Sequence, residues 1–185
     1  MSDMTRKPST LHSVKAYVTH QILTIPNVVT TVRLVCAVLI LIGPEEHLRV
    51  FVLAFVGWVS DLLDGFIAKT FGWSSEFGKR YDQYTDWSFG IALMYGIFVA
   101  GGLEWYNVPL ILFIGGYLTM RLGKPTIETS EAAKVKTFLQ FTGGVAILAA
   151  HAFEWTALLV AGYVLVWISL PHMARSVRDY LFPKP

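Results

Sequence analysis

Long apolar stretches separated by short polar segments run along most of this chain. Four stretches contain no Asp, Glu, Lys or Arg, and they cover residues 87–103, 105–120, 137–153 and 155–174. Two more contain charges: residues 25–43 include Arg33, and residues 48–69 include two aspartates. About 20 apolar residues cross a bilayer as a helix, and none of these stretches alternates like a barrel strand. The pattern predicts an all-α, polytopic membrane protein with six transmembrane helices.

The composition supports a membrane protein. Of the 185 residues, 54% are hydrophobic and 15% are charged, whereas a soluble domain usually carries about 25% charged residues. This deficit excludes an ordinary cytosolic enzyme, and a formal net charge of +2 gives no indication of a nucleic-acid partner. The single cysteine excludes a disulfide framework. We expect one domain over residues 1–185, with the six-helix bundle over residues 25–178.

The charges outside the apolar stretches are divided between the two sides of the predicted bundle. The side that holds the N-terminus carries thirteen of the 15 cations, namely Arg6, Lys7, Lys15, Lys69, Lys79, Arg80, Arg121, Lys124, Lys134, Lys136, Arg175, Arg178 and Lys184. The opposite loops hold Glu45, Glu46, Glu104 and Glu154. Because cytoplasmic loops are enriched in Lys and Arg, this predicts an N-in, C-in orientation. Apolar residues at helical spacing over residues 10–24 predict a juxtamembrane amphipathic helix on the inner leaflet.

Four aspartates lie within the predicted membrane region. Asp61 and Asp64 are three residues apart near the end of the second span, and Asp82 and Asp86 are four apart at the start of the third. These spacings place each pair on one helical face. The second span ends, and the third begins, on the same side of the membrane, so the two pairs are expected at one level on adjacent helices.

Such carboxylates cannot all stay ionised and unpaired in a medium of low dielectric constant. Oxygen ligands suit a hard divalent cation, with Mg²⁺ or Mn²⁺ the first candidates, and paired cations support phosphoryl chemistry. Two alternatives remain open from spacing alone: a network of protonated aspartates, or the cation pathway of a transporter. Small residues near the aspartates favour a ligand pocket, because they let a ligand approach the backbone. These residues are Gly65, Ala68 and Gly78.

The aspartate segment resembles the signature of the CDP-alcohol phosphotransferase family, D-x2-D-G-x2-A-R-x8-G-x3-D-x3-D. Every fixed position from Asp61 to Asp86 matches except one, where Lys69 stands in place of arginine. Pro26 to Arg33 is similar to the P-N-x-x-T-x-x-R start of the family's first helix. Lys134 to Gln140 is similar to its K-x-K-T-x-x-Q segment in the branches that form phosphatidylglycerophosphate and cardiolipin. The resemblance implies the same six-helix fold that the hydropathy pattern predicts.

The resemblance also implies roles for individual residues. Asp61, Asp64, Asp82 and Asp86 would ligate two divalent cations, Mg²⁺ or Mn²⁺, and Asp86 would also act as the general base on the acceptor hydroxyl. The CDP moiety would be bound by a second set: Gly65, Ala68, Lys69 and Gly78. The reaction implied is transfer of a phosphatidyl group from CDP-diacylglycerol to an alcohol with release of CMP, a step of phospholipid biosynthesis.

The acceptor is expected to meet cations at the inner ends of the later helices. These candidates are Arg121, Lys134, Lys136 and Arg175, which would suit a phosphorylated alcohol such as glycerol 3-phosphate. Phosphatidylglycerol, inositol phosphate and serine are alternative acceptors, and a UbiA-like prenyltransferase and a small cation transporter are alternatives from other classes. The family resemblance further implies a homodimer in contact with membrane lipids. We expect it in a bacterial inner membrane, with its active site facing the cytoplasm.

Overall fold

The computed structural model describes residues 25–72, 75–102, 104–112 and 131–182. Five α-helices have both ends within these ranges, namely α1 (Ile25–Ile42), α2 (His47–Phe71), α3 (Glu76–Gly101), α4 (Glu131–Phe153) and α5 (Thr156–Leu181). One turn of 3₁₀ helix covers Trp105–Asn107, and residues 108–112 after it are also helical. Every regular element in these ranges is helical, which confirms the all-α prediction. The predicted amphipathic helix over residues 10–24 lies outside the described residues.

Three of the described helices are long and apolar enough to cross a membrane, namely α1, α2 and α5 over Thr156–Asp179. They are compatible with an integral membrane protein. Helix α3 begins at Glu76, well before the apolar stretch at residue 87, so its first turns are rich in polar and charged residues. The predicted span over residues 105–120 extends into residues that are not described. The count of six membrane-crossing helices therefore stays a prediction.

A short connection turns the chain between the two aspartate-bearing helices. Gly72 ends α2 in the left-handed conformation, with φ 65°, which glycine adopts without steric cost. Ser75 then caps α3, since its hydroxyl accepts a hydrogen bond from the Gly78 amide at 2.9 Å. The connection allows the end of α2 and the start of α3 to lie at the same end of the bundle.

Helices α1 and α4 each pack against both α2 and α3, so the four helices surround a common interior. Gly96 of α3 shows how closely they meet. A Cβ atom on Gly96 would lie 3.0 Å from Val50, 3.5 Å from Leu148 and 3.6 Å from Ile40, one residue from each of the other three helices. Helix α5 packs along α4. The end of the four-helix interior around Ile40, Val50, Gly96 and Leu148 is apolar, and we call it the apolar half.

The other end of the interior is polar. It is formed by Asn27, Thr30 and Arg33 of α1 with the aspartates of α2 and α3, and we call it the polar half. Asn27, Thr30 and Arg33 are all buried and recur every three residues, so they lie along one face of α1. A helix that buries polar side chains along one face must supply them with partners from its neighbours. The polar half therefore contains the candidate site.

Candidate active site

The side chain of Arg33 lies at the centre of the polar half and is fully buried. Its Nη2 atom lies 2.8 Å from Asp61 Oδ1 and 2.5 Å from Asp64 Oδ2, both on α2. Its Nη1 atom lies 3.0 Å from Asp82 Oδ1 and also donates a hydrogen bond to Asp86, both on α3. One guanidinium therefore links the two aspartate pairs, and the structure brings all four predicted carboxylates together.

Helical periodicity explains why each pair acts as a unit. Residues three or four apart lie on the same side of a helix, so both members of each pair face α1. Arg33 presents its donors in a planar fork, and each Nη group is used by one pair. A lysine at this position would have a single ammonium group and no such fork.

Thr30, one turn before Arg33, also contacts the aspartates. Its hydroxyl lies 2.8 Å from Asp64 Oδ2 and 3.0 Å from the Pro26 carbonyl oxygen. Asp64 is the most deeply buried of the four, with 8% of its side chain exposed, and Asp82 is the most open, with 41% exposed. The cluster is therefore closed at Asp64 and open to its surroundings at Asp82.

The central position of Arg33 was missed in reasoning from the sequence, which gave this residue no role. A signal was nevertheless present: Arg33 is the single charge in an apolar stretch of nineteen residues from 25 to 43. A buried charge in a membrane helix is costly unless it has partners, so an isolated arginine there indicates acidic groups nearby. Only the packing of α1 against α2 and α3 identifies those groups.

The aspartates also fit a divalent cation. Asp61, Asp64 and Asp82 can each offer one carboxylate oxygen, and these oxygens lie within 4.8 Å of one another. Three hard oxygen donors at this separation suit Mg²⁺ or Mn²⁺, with other positions left for water or phosphate oxygens. The donor set therefore agrees with the metal dependence of the family that the sequence resembles.

The residues predicted to bind CDP have different surroundings. A Cβ atom on Gly65 would meet no atom within 4 Å, so this position borders open space. A Cβ atom on Gly78 would lie 2.6 Å from Asn27 Oδ1, so Gly78 packs against the start of α1. Ala68 belongs to α2, but its side chain is outside the described set. Lys69 is exposed in the last turn of α2.

The predicted acceptor cations are spread over several positions. Lys136 is buried in α4. Lys134 is exposed, and its ammonium donates to Glu131 at 2.6 Å. This hydrogen bond and the charge of Lys134, together with the charge of Lys69, lower the pKa of Glu131. Arg175 is exposed on α5, and Arg121 lies outside the described residues.

An aromatic layer separates the polar half from the apolar half. Phe89 is fully buried and contacts Phe141 edge to face, with ring centroids 5.3 Å apart. A Cβ atom on Gly57 would lie 2.4 Å from Phe89 Cε2, so only glycine allows α2 to approach this ring so closely. Because Phe89 follows Asp86 by three residues and Gly57 precedes Asp61 by four, this layer forms the floor of the site.

One further polar side chain lies beside this floor. Gln140 of α4 is 2% exposed, and its amide nitrogen and oxygen have no hydrogen-bond partner within the described ranges. It borders a cavity of about 10 Å³ together with Gly90, Leu93 and Gly144. Apart from Gln140, this cavity is lined by glycines and apolar side chains.

Known proteins resemble the chain along most of its length. A probable phosphatidylglycerophosphate synthase of Mycobacterium tuberculosis is 27% identical over 176 residues, which cover 86% of this chain and 84% of that protein. A CDP-diacylglycerol--glycerol-3-phosphate 3-phosphatidyltransferase of Rickettsia felis is 29% identical over 161 residues, which cover 78% of this chain and 86% of that protein. The protein of the same name from Rickettsia typhi is 27% identical, with 78% and 88% covered.

No solved structure matches the chain. The family model of CDP-alcohol phosphatidyltransferases matches residues 23–173, which include all four aspartates, Arg33 and the Lys134 to Gln140 segment. The match confirms the resemblance found in the sequence motifs, and it fits a cluster of carboxylates able to bind a divalent cation. The chain therefore belongs to the CDP-alcohol phosphatidyltransferase family.

Proposed function

We propose that this enzyme transfers the phosphatidyl group of CDP-diacylglycerol to glycerol 3-phosphate and releases CMP. Membership of the family decides the reaction class, and it excludes the alternatives of a UbiA-like prenyltransferase and a cation transporter. The acceptor is inferred from the names of the relatives, several of which contain glycerol 3-phosphate. Phosphatidylglycerol, inositol phosphate and serine remain outcomes of the test below.

One observation carries the catalytic part of this proposal. Four carboxylates from two helices converge within the bundle, and three of them offer oxygens within 4.8 Å of one another. We propose that Asp61, Asp64, Asp82 and Asp86 bind two divalent cations, Mg²⁺ or Mn²⁺. When bound, these cations neutralise the diphosphate of the lipid and stabilise the charge that develops during phosphoryl transfer.

Asp86 is proposed as the general base. It accepts the proton of the acceptor hydroxyl, whose oxygen then forms a bond to the phosphorus that carries diacylglycerol. The bond from this phosphorus to the bridging oxygen breaks, and CMP leaves with the electron pair. The side chain of Asp86 is 28% exposed, so part of it is accessible to a substrate. No covalent intermediate on the protein is required, because positioning and charge neutralisation supply the catalysis.

The remaining site residues are proposed to bind the two substrates. The open space beside Gly65 can accept the CDP moiety, with Ala68, Lys69 and Gly78 as further contacts. Lys136 is the strongest candidate for the acceptor phosphate, because its ammonium group is buried in α4, and a charge-assisted hydrogen bond to a phosphate is strong in such a site. We propose Lys134, Arg121 and Arg175 as additional cations around that phosphate.

The distribution of charge supports a membrane orientation. Thirteen of the 15 cations lie on the side of the predicted bundle that carries the N-terminus and the open end of the site. We therefore propose an N-in, C-in bundle of six transmembrane helices in a bacterial inner membrane, with the active site facing the cytoplasm. A homodimer is proposed from the family resemblance.

The reaction can be tested with the purified full chain in detergent. CDP-diacylglycerol and Mn²⁺ or Mg²⁺ are supplied with each acceptor in turn, CMP is measured, and the lipid product is identified by mass spectrometry. We expect CMP and phosphatidylglycerophosphate with glycerol 3-phosphate, and neither product in excess chelator. CMP with a different acceptor would correct the substrate, whereas no CMP with any acceptor would contradict the whole proposal.

A further inference from the structure

Arg33 and a divalent cation would use the same ligands. The guanidinium contacts carboxylate oxygens of Asp61, Asp64 and Asp82 at 2.8, 2.5 and 3.0 Å. These are the three residues whose oxygens lie close enough together to hold a cation. A lone pair that accepts a hydrogen bond from Arg33 is not available to a metal ion at the same time. The two kinds of cation therefore compete for this cluster.

The anchoring of the guanidinium agrees with such competition. Its two Nη groups are bonded to the aspartates, whereas Nε, although buried, has no hydrogen-bond partner in the part of the chain that the structure describes. The end of the side chain is thus held through the oxygens that a metal ion would take. If those oxygens are taken, no other described hydrogen bond retains the guanidinium in its place.

The net charge of the cluster changes sign as divalent cations bind. Four ionised carboxylates and Arg33 together carry −3; one divalent cation brings the sum to −1, and two bring it to +1. Without Arg33, two divalent cations would only reach neutrality. Arg33 thus stabilises the aspartates before a metal ion binds, and it makes the fully loaded site attractive to a diphosphate.

We propose that Arg33 is an exchangeable counter-ion: it holds the four aspartates together when divalent cations are absent and is displaced from their oxygens as the cations bind. This inference rests on the proposed metal site, and it adds a positioning role for a residue of α1. It predicts that Arg33 opposes metal binding, whereas a residue that only shaped the metal site would favour it.

The test is Mn²⁺ binding by the full chain in detergent, at constant pH and without lipid substrate, with free Mn²⁺ followed by electron paramagnetic resonance. We expect Arg33→Gln to bind Mn²⁺ at least about tenfold more tightly than the unmodified chain, because a repelling charge is removed. Arg33→Lys keeps the charge and is the matched control, with an affinity within about threefold of the unmodified chain.

Thermal unfolding supplies a second readout, which separates exchange from a general loss of folding. In excess chelator, Arg33→Gln is expected to unfold at a lower temperature than the unmodified chain, since its carboxylates lack a counter-ion. Saturating Mn²⁺ is expected to remove most of this difference. A deficit that persists in Mn²⁺, or Mn²⁺ binding weakened by Arg33→Gln, would overturn the exchange.

The failure of this inference can be distinguished from failure of the proposed function. If the unmodified chain releases CMP and binds Mn²⁺, but Arg33→Gln binds it no more tightly, exchange is wrong and the proposed reaction stands. If neither protein binds Mn²⁺, the metal site and the exchange are both overturned. Tighter binding by Arg33→Gln and Arg33→Lys alike would overturn it too, because the effect would then come from geometry rather than charge.

Discussion

Arg33 and Ile40 lie two turns apart on the same face of α1, and both are fully buried in the same four-helix interior. Ile40 lies beside Gly96, in the same hydrophobic cluster as Val50 and Leu148, and is stabilised by packing alone. Arg33 meets four aspartates and is stabilised by ion pairs and hydrogen bonds. Within two helical turns the interior thus changes from close apolar packing to a cluster of charges.

This difference separates stability from function. In the apolar half, a substitution changes packing and hence the free energy of unfolding, with no direct effect on chemistry. In the polar half, five ionisable groups are wholly or partly removed from water, which costs free energy that apolar side chains of similar volume would not require. Retention of such a cluster is understandable if its charges bind a substrate or a cation. Substitutions matched between the two halves can test this division.

The largest effect is expected at the proposed general base. Asp86→Asn should lower turnover by about 10²- to 10⁴-fold, because an amide cannot accept the proton of the acceptor hydroxyl. Binding of the CDP-lipid, measured with a non-reactive analogue, should change far less than turnover. The control is Asp179→Asn, which removes a partly exposed carboxylate on α5 that pairs with Arg178. Turnover by Asp86→Asn close to that of the control would exclude the base role.

The second prediction concerns the acceptor cations. Lys136→Met should raise KM for glycerol 3-phosphate by about 10- to 100-fold, since a charge-assisted hydrogen bond in a buried site would be lost. Lys134→Met should raise KM less, because Lys134 is exposed and its charge is screened by water and by Glu131. Arg178→Met, which alters an exposed cation on α5, should leave KM unchanged. Equal effects of the two lysine substitutions would show that Lys136 contributes no more than Lys134 to binding of the acceptor phosphate.

Two glycines of α2 provide a matched pair across the aromatic floor. Gly57→Ala should lower the free energy of unfolding by about 1–3 kcal/mol, because the new methyl group overlaps the Phe89 ring. Gly65→Ala meets open space, so its stability should be equal or slightly higher, as alanine favours a helix. If Gly65 lines the CDP pocket, KM for CDP-diacylglycerol should nevertheless rise. Denaturation in detergent measures the stability of both variants, and steady-state kinetics measure KM for CDP-diacylglycerol. Together they test whether Gly57→Ala mainly affects stability and Gly65→Ala mainly affects KM.

The smallest effects are expected from introducing valine at two positions of α1. Ile40→Val removes one methylene group from the apolar half and should cost about 1 kcal/mol of stability, with KM values unchanged. Thr30→Val preserves shape in the polar half but removes the hydroxyl that lies 2.8 Å from Asp64 Oδ2. It should cost about 1 kcal/mol as well, and it should also alter Mn²⁺ affinity. If both variants altered stability alone, the polar half would be no more functional than the apolar half.

Much of the site could be predicted from the sequence because local spacing carried the information. The aspartates at separations of three and four each define one helical face, and their positions at the end of α2 and the start of α3 placed them at one level. The apolar stretches likewise predicted where α1, α2 and α5 run. The start of α3 was less predictable, since its polar first turns give no apolar signal, although Ser75 is a favourable capping residue.

The sequence by itself determined the helical class, the four aspartates and the family, because periodicity and fixed gaps are local properties of the chain. Only the tertiary structure decided that Arg33 joins both aspartate pairs, that Gly57 makes room for Phe89, and that Gly65 faces open space while Gly78 packs against Asn27. These facts depend on side chains that are distant along the chain. The rotation and close approach of whole helices set such contacts, and no spacing within one helix encodes them.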